Sequence, residues 1–412
     1  MTGPTHDVRM RGFARRQTVE AALALLDAQL RPLGAEHLPV RDASRRVLAD
    51  DVTSVVDVPG FDRATMDGFA VIADSTEGAT AYNPLPLTVI GDSFPGRPFH
   101  GSVGAGQAVR TMTGAPLPAG TDAVLPAEWI DGGSDAGCVK AIAAVSPGKH
   151  VGRRGEDVLS GTTVLHRGRL LRPQDLGLLS SIGLGEVSVV RKPRVRLLVT
   201  GNELLPSGSA PRGHCIADAN GPMLAALAER DGAIVTFPAL VPDDRDAIRA
   251  ALHDDVDVIV VSGGSSVGAE DIAPTIVAED GELWVHGIAM RPSSPTGFGR
   301  LGHRLVFLLP GNPVSCLCGY DFFAGRAIRA LGGRAKEWPY QSTVAPLARK
   351  ISSPIGRLDY VRVRIVDGRV EPLATGSASV LSSTTRADGF VIVAADSEGF
   401  AADDDVKVWL YA

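Results

Sequence analysis

Three short apolar runs constrain this chain most. LLV (197–199), VIVV (258–261) and VFLL (306–309) each stop at a glycine-bearing loop, and each is followed by a helical pattern. Continuous β-branched or apolar runs of this kind fit strands buried on both faces. Strands alternating with helices at this spacing predict a parallel α/β sheet. From Pro193 the order reads RVRLLVT, the helical NGPMLAALAERDG, AIVTFPALV, the helical DDRDAIRAALHD, then DVIVVSGGSSVG. A helical AEDIAPTIVAED follows, then LWVHGIAM, LVFLLPGNP and a helix from about Val314 to Leu331.

The flanks read differently. Residues 18–31 predict a helix capped by Thr18, with Val19, Leu23, Leu26 and Leu30 on one face and Pro32 and Gly34 beyond its end. A second helical piece is predicted from Arg41 to Asp51. Across 55–170, short β-prone runs alternate with turns such as FPGRP, GAPLPAG and SPGKH, which predicts a β-rich module with Asp67–Gly68 as a hairpin turn. After Gly332–Gly333 the chain turns β-rich again, with DYVRVRIV and VKVWLYA as its clearest strands.

Composition excludes several classes. In 412 residues the net charge is −6, which favours neither nucleic acid nor an anionic membrane as the main partner. The 4 cysteines form no CxxC pair, so reduced thiols in a cytoplasm are expected in place of disulfides or structural zinc. The longest uncharged run, Leu305 to Tyr320, is broken by Pro310 and Pro313 and is too short to span a membrane.

Ligands bind parallel α/β sheets at the carboxyl ends of the strands. Three loops meet that description here: TGNELLP (200–206), SGGSSVGAED (262–271) and LPGNPVS (309–315). Their glycines let the backbone approach a ligand, and the helix starts behind them offer free N–H groups to an oxyanion. Glu203, Asp218 and Asp271 add carboxylates of the kind that hold a divalent cation beside phosphates, or that cap helices. No GxxxxGK[ST] is present, and GGSSVG does not match GxGxxG. GSSVG does match the nucleophile-elbow pattern GxSxG, so a serine hydrolase using Ser266 is one alternative.

The ensemble resembles the molybdopterin molybdenumtransferase family, which includes the E domain of gephyrin. FDRATMDGFA, RTMTGAPLPAGTDAV, RRGEDV, TGNELLP, DANGPML, SGGSSVGAED, AMRPSSP and LPGNPVS carry the resemblance, in this order, over nearly the whole chain. It implies insertion of molybdenum from molybdate into adenylylated molybdopterin, with release of AMP and Mg2+ as cofactor. It implies a multidomain α/β plus β fold with four parts. These are a linking domain (1–58 and 141–190), an inserted β-rich domain (59–140), a three-layer α/β molybdopterin-binding domain (191–333) and a C-terminal β-barrel-like domain (334–412). A homodimer and an upstream molybdopterin adenylyltransferase are the implied partners. By the same resemblance Asp67, Thr113, Asp157, Glu203, Asp218 and Asp271 are catalytic, and the last three hold the metal. Ser262, Gly263, Gly264, Ser265 and Gly268 cradle the phosphate, and Arg291, Pro310, Gly311, Asn312, Ser315, Arg362 and Ser383 lie toward the molybdate. Where the family usually reads like KPGKP, this chain reads RPSSP, with Ser293 and Ser294 for the glycine and second lysine. A second alternative is therefore a divergent paralogue that binds the nucleotide with weak or no molybdate insertion.

Overall fold

The computed structural model describes residues 16–131, 137–236, 240–263, 272–374 and 378–411. The chain divides into two units, one of residues 1–36 with 190–412, the other of residues 37–189.

The first unit is built on a seven-stranded sheet. Its path runs Ile234–Thr236, Arg194–Thr200, Val258–Ser262, Arg304–Leu309, Gly297–Leu301 and Glu282–His286, with Leu240–Val241 also paired to Arg194–Thr200. Alternate side chains of the central strands enter two separate cores. Val195, Leu197, Val258, Val260, Phe307 and Leu309 face one, against the helices Val19–Gln29, Asn220–Arg230 and Pro313–Gly319. Leu198, Ile259, Val261, Val306 and Leu308 face the other, against Arg245–Ala251 and Ala273–Asp280. This three-layer arrangement is what the unbroken apolar runs require.

The sheet is not wholly parallel. Gly297–Leu301 and Glu282–His286 run antiparallel at one edge. The cause is the two-residue turn at Gly302–His303, where Gly302 takes a left-handed φ of 61° and pairs Leu301 with Arg304. The helix predicted from Val314 is present, but its middle turn, Tyr320–Ala324, is a π-helix between Pro313–Gly319 and Gly325–Leu331. The N-terminal helix starts as expected, with Ala21 N–H donating to Thr18 Oγ1 at 3.2 Å. Its Asp27 is held by Arg326, 299 residues away, through two hydrogen bonds of 2.8 and 2.7 Å.

The carboxyl-terminal strands of this unit form a six-stranded sheet. Its path is Met290–Arg291, Leu358–Val366, Gly389–Val393, Asp405–Leu410 and Gln341–Pro346, with Arg369–Ala374 on Leu358–Val366. Met290–Arg291 belongs to the α/β stretch of the sequence, so it ties the two sheets together.

The unit of residues 37–189 holds a six-stranded sheet in the order Ala123–Pro126, Gly68–Val71, Gln107–Thr111, Leu85–Ser93, Cys138–Ala141 and Ile130–Asp131. A smaller core gathers Val40, Leu48, Leu165, Leu171, Leu179, Val187 and Val189 around the helix Pro173–Ser181. Two expectations fail in this unit. The helix predicted from Arg41 to Asp51 is a single 3-10 turn, Val40–Asp42, because Arg45 turns left-handed (φ 60°) and Val47 and Leu48 form β-bridges. Asp67–Gly68 is not a hairpin turn, since Gly68 opens a strand that pairs on both sides.

Asp175 anchors the Pro173–Ser181 helix. It accepts from Arg169 Nε and Nη2 at 3.0 and 2.8 Å and from the Arg172 backbone N–H at 2.9 Å. The Arg169 hydrogen bonds hold this buried carboxyl well below the usual carboxylate range, against the opposing effect of burial. A depressed folded-state pKa gives stability that is present above the unfolded value, about pH 4, and is lost as pH falls through the folded one. Asp175→Asn is expected to destabilise this unit by about 1.5–3 kcal/mol at pH 7. The variant is also expected to flatten its loss of stability on acidification. Urea titrations at pH 7 and pH 3 measure both effects.

Candidate functional site

The parallel strands place their loops side by side. Val199 pairs with Ser262, and Ser262 with Leu309, so 200–206, 262–263 and 309–315 leave the sheet at one level. A cavity of about 550 Å3 opens there. Thr200, Gly201, Glu203, Asp218, Asn220, Asp243, Ser262, Gly263, Gly311, Asn312 and Ser379 are among the residues that line it. A second cavity of about 270 Å3 is lined by Met290–Pro295, Pro310, Gly311, Asn312, Ser315 and Ala378. Gly311 and Asn312 belong to both cavities and form their common wall.

The first cavity is rich in acceptors. Asp218 is buried and uses Oδ1 to accept from the N–H groups of Asn220 and Gly221, both at 2.9 Å, which caps the Asn220–Arg230 helix. Glu203 is exposed on the rim. Asn202 and Asp243 bind each other reciprocally: Asn202 N–H donates to Asp243 Oδ2 at 3.0 Å, and Asp243 N–H to Asn202 Oδ1 at 3.3 Å. That link fixes the first loop to the end of the Leu240–Val241 strand. Behind the wall, burial pushes the Cys316 thiol up to about 12, so it stays neutral next to Ser262 Oγ, 3.5 Å away.

The second cavity is framed by a strained loop. Ser293 is buried in a left-handed conformation (φ 86°) that favours glycine, and its Oγ lies 2.6 Å from Thr296 Oγ1. Ser294 Oγ is buried with no hydrogen-bond partner, and Arg291 is exposed at the mouth.

The sequence-predicted residues thus divide. Glu203, Asp218, Ser262, Gly263, Gly311 and Asn312 meet on the first cavity, and Arg291, Pro310 and Ser315 on the second. Arg362 and Ser383 line neither; both are buried in the carboxyl-terminal part, where Ser383 Oγ donates to the Val380 carbonyl at 2.6 Å. Gly264, Ser265, Ser266, Gly268 and Asp271 lie outside the described residues. Among the described residues no three His, Cys, Asp or Glu side chains gather to hold a metal ion.

In the other unit, Asp67 Oδ1 accepts from the backbone N–H and the Oγ1 of Thr113, each at 2.8 Å. Those bonds hold the Asp67 carboxyl below the usual range, so it is a carboxylate at neutral pH. Asp157 is exposed, and its backbone N–H donates to the Val58 carbonyl. The charged loop around it is held by other acids: Arg153 Nη1 donates to Asp62 Oδ2 at 2.8 Å and Arg154 Nε to Asp57 Oδ2 at 2.6 Å.

Sequence reasoning missed Thr200, Asn220, Asp243 and Ser379 as cavity residues. Asp243 carried a legible signal, since it follows the apolar AIVTFPALV and precedes a helix, as the other loops do. Ser379 comes from the carboxyl-terminal part and carried none.

Comparison with known proteins covers the same ground. Residues 17–183 match "MoeA N-terminal region (domain I and II)", 196–330 match "Probable molybdopterin binding domain" and 344–411 match "MoeA C-terminal region (domain IV)". Molybdopterin molybdenumtransferase 2 of Mycobacterium tuberculosis is 36% identical over 385 residues, 90% of this chain and 94% of that protein. Molybdopterin molybdenumtransferase of Haemophilus influenzae is 32% identical over 92% of this chain and 94% of its own length. The crystal structure of the molybdopterin biosynthesis MoeA protein from Pyrococcus horikoshii superposes with a TM-score of 0.82 at 33% identity, covering 96% of this chain and 99% of that one. With all three segments matched and with such relatives over 90% or more of its length, the chain belongs to the molybdopterin molybdenumtransferase family.

Proposed function

We propose that this protein is a molybdopterin molybdenumtransferase, inserting molybdenum from molybdate into adenylylated molybdopterin with release of AMP. One observation carries the reading: two cavities share the Gly311–Asn312 wall at the carboxyl ends of adjacent parallel strands. The larger suits the pterin nucleotide. The smaller, with Arg291 at its mouth and the Ser294 hydroxyl inside, suits a tetrahedral dianion. The serine hydrolase and the non-inserting paralogue are not favoured, since the relatives named above are transferases.

Glu203 and Asp218 offer the all-oxygen donor set of a hard cation, and Mg2+ commonly takes one or two carboxylates and completes its shell with phosphate oxygens and water. These two, with Asp271, would hold Mg2+, which would polarise the phosphoanhydride bond between the pterin's phosphate and the AMP phosphate. Gly201, Gly263 and Gly311 let the backbone approach the nucleotide, and the Asn202–Asp243 link keeps the first loop in place. Asp67, Thr113 and Asp157 keep the catalytic role that the resemblance implies. Ser383 contributes by bonding to the Val380 carbonyl, next to Ala378 and Ser379, and Arg362 keeps the role that the resemblance implies.

The same reading makes the protein a cytoplasmic homodimer fed by a molybdopterin adenylyltransferase, with the four sequence-drawn segments as its functional modules. No helix among the described residues is long and apolar enough to cross a membrane. Incubation of the purified protein with molybdopterin adenylate, Mg2+ and molybdate is expected to release AMP, and omitting molybdate or adding a chelator is expected to stop it. AMP release indifferent to molybdate would overturn the proposal.

A further inference from the structure

Buried polar atoms in folded proteins nearly always have a hydrogen-bond partner, so each exception calls for an explanation. Two side chains that line the larger cavity carry such exceptions: Thr200 Oγ1 and Asn220 Oδ1. Both residues are more than nine-tenths buried, at 4% and 6% exposure.

Asn220 is the more informative because its orientation is fixed. Its Nδ2 donates to Ser262 Oγ at 2.9 Å and to the Gly311 carbonyl at 2.7 Å. A carbonyl can only accept, so the atom facing Gly311 is the nitrogen, and the oxygen is the one left over. Its backbone N–H is likewise spent, on Asp218 Oδ1. Asn220 therefore has no donor left, and its buried Oδ1 is an acceptor without a partner. A phosphate or molybdate oxygen would be repelled there, whereas an N–H donor would complete the pattern.

This inference rests on the substrate reading above. In an adenylylated pterin, phosphates and thiolates supply lone pairs, while the flat heterocycles supply amino donors. Gly201, Gly263 and Gly311, which bear no side chains, also line this cavity and leave a wall a planar ring can lie against. We propose that Asn220 is a specificity-determining residue whose Oδ1 accepts a hydrogen bond from the exocyclic amino group of the substrate's heterocycle.

Both heterocycles carry such a group, and paired probes separate them. Binding of 6-hydroxymethylpterin and of 6-hydroxymethyllumazine, which has an oxo group for the amino group, is measured by calorimetry on the full chain. AMP and IMP form the second pair. In one pair the wild-type protein is expected to prefer the amino compound by about tenfold, the size of one hydrogen bond whose loss leaves a buried group unpaired. Asn220→Ala is expected to erase that preference while still binding the oxo compound. A purely structural role would weaken both members of a pair alike. Coupling in the pterin pair places the pterin at Asn220, and coupling in the adenine pair places the adenylate there. Wild-type binding without preference in either pair, or a preference that survives in Asn220→Ala, overturns the proposal. If Asn220→Ala fails to fold, Asn220→Ser carries the same comparison. Binding of none of the four compounds to the wild-type protein would count against the substrate reading itself, and the inference falls with it.

Discussion

Asp231→Ala is expected to cost the unit of residues 1–36 and 190–412 about 3–5 kcal/mol of stability, the range for breaking a buried ion pair by removing one partner. Asp231 is almost fully buried at the end of the Asn220–Arg230 helix. Its Oδ2 accepts from Arg329 Nη1 at 2.9 Å, from Tyr320 hydroxyl at 3.0 Å and from Arg230 Nη2 at 3.1 Å. Arg329 is itself buried, and its Nη2 donates at 2.9 Å to the Lys336 carbonyl, which carries no charge. Without Asp231 the Arg329 guanidinium stays in the interior uncompensated. Asp321 does not replace the lost charge, because its oxygens are already engaged by the Tyr340 hydroxyl at 3.0 Å and by Arg230 Nη2 at 3.4 Å. Asp231→Asn keeps the shape and one acceptor, so a smaller loss of about 1.5–3 kcal/mol is expected. Urea denaturation followed by tryptophan fluorescence suits the test, because Trp338 Nε1 donates to the Asp321 carbonyl at 3.0 Å within the same cluster. A midpoint unchanged in Asp231→Ala would mean that water reaches Arg329, contrary to its burial.

The second large effect is on activity. Gly263→Ala is expected to reduce kcat/KM for molybdate-dependent AMP release by about 100-fold or more, with the protein still folded. Gly263 has a left-handed φ of 95°, and an added Cβ would lie 2.3 Å from the Thr200 carbonyl oxygen and 2.9 Å from Thr200 Oγ1. Neither neighbour is a flexible chain end. Either the 200–206 loop or the 262–263 segment must shift by the better part of an ångström, and both bound the larger cavity. Gly263 N–H also donates to the Leu309 carbonyl at 3.1 Å, so the displacement reaches the third loop. Circular dichroism and urea titration establish that the variant is folded. Activity near that of the wild type would show that the loops tolerate the shift and that the cavity is not the reaction site.

The sheet and its loops were legible because they rest on strong local signals. LLV, VIVV and VFLL can be buried only from both sides, and that requirement fixes the strands, the layers and the level at which 200–206, 262–263 and 309–315 emerge. Legibility failed where tertiary pairing outweighed local pattern. Val47 and Leu48 have helical neighbours in sequence, yet a left-handed Arg45 turns them into bridge partners. The Pro173–Ser181 helix was hidden because its apolar residues resemble those of the β-rich run before it. In the site, glycines and acids were found because their chemistry announces itself by type. Asn220 was not, since an asparagine at a helix start is an ordinary cap until its hydrogen bonds are traced.

The bond between Asp27 and Arg326 also dictates an order of events during synthesis. The ribosome delivers the Val19–Gln29 helix first, then all of residues 37–189, and Arg326 only 299 residues after Asp27. At 5–20 residues per second that interval is on the order of 15–60 s. The amphipathic Val19–Gln29 helix must wait through it while all of residues 37–189 emerge. The unit that carries the glycine loops thus cannot close until residues 37–189 have emerged.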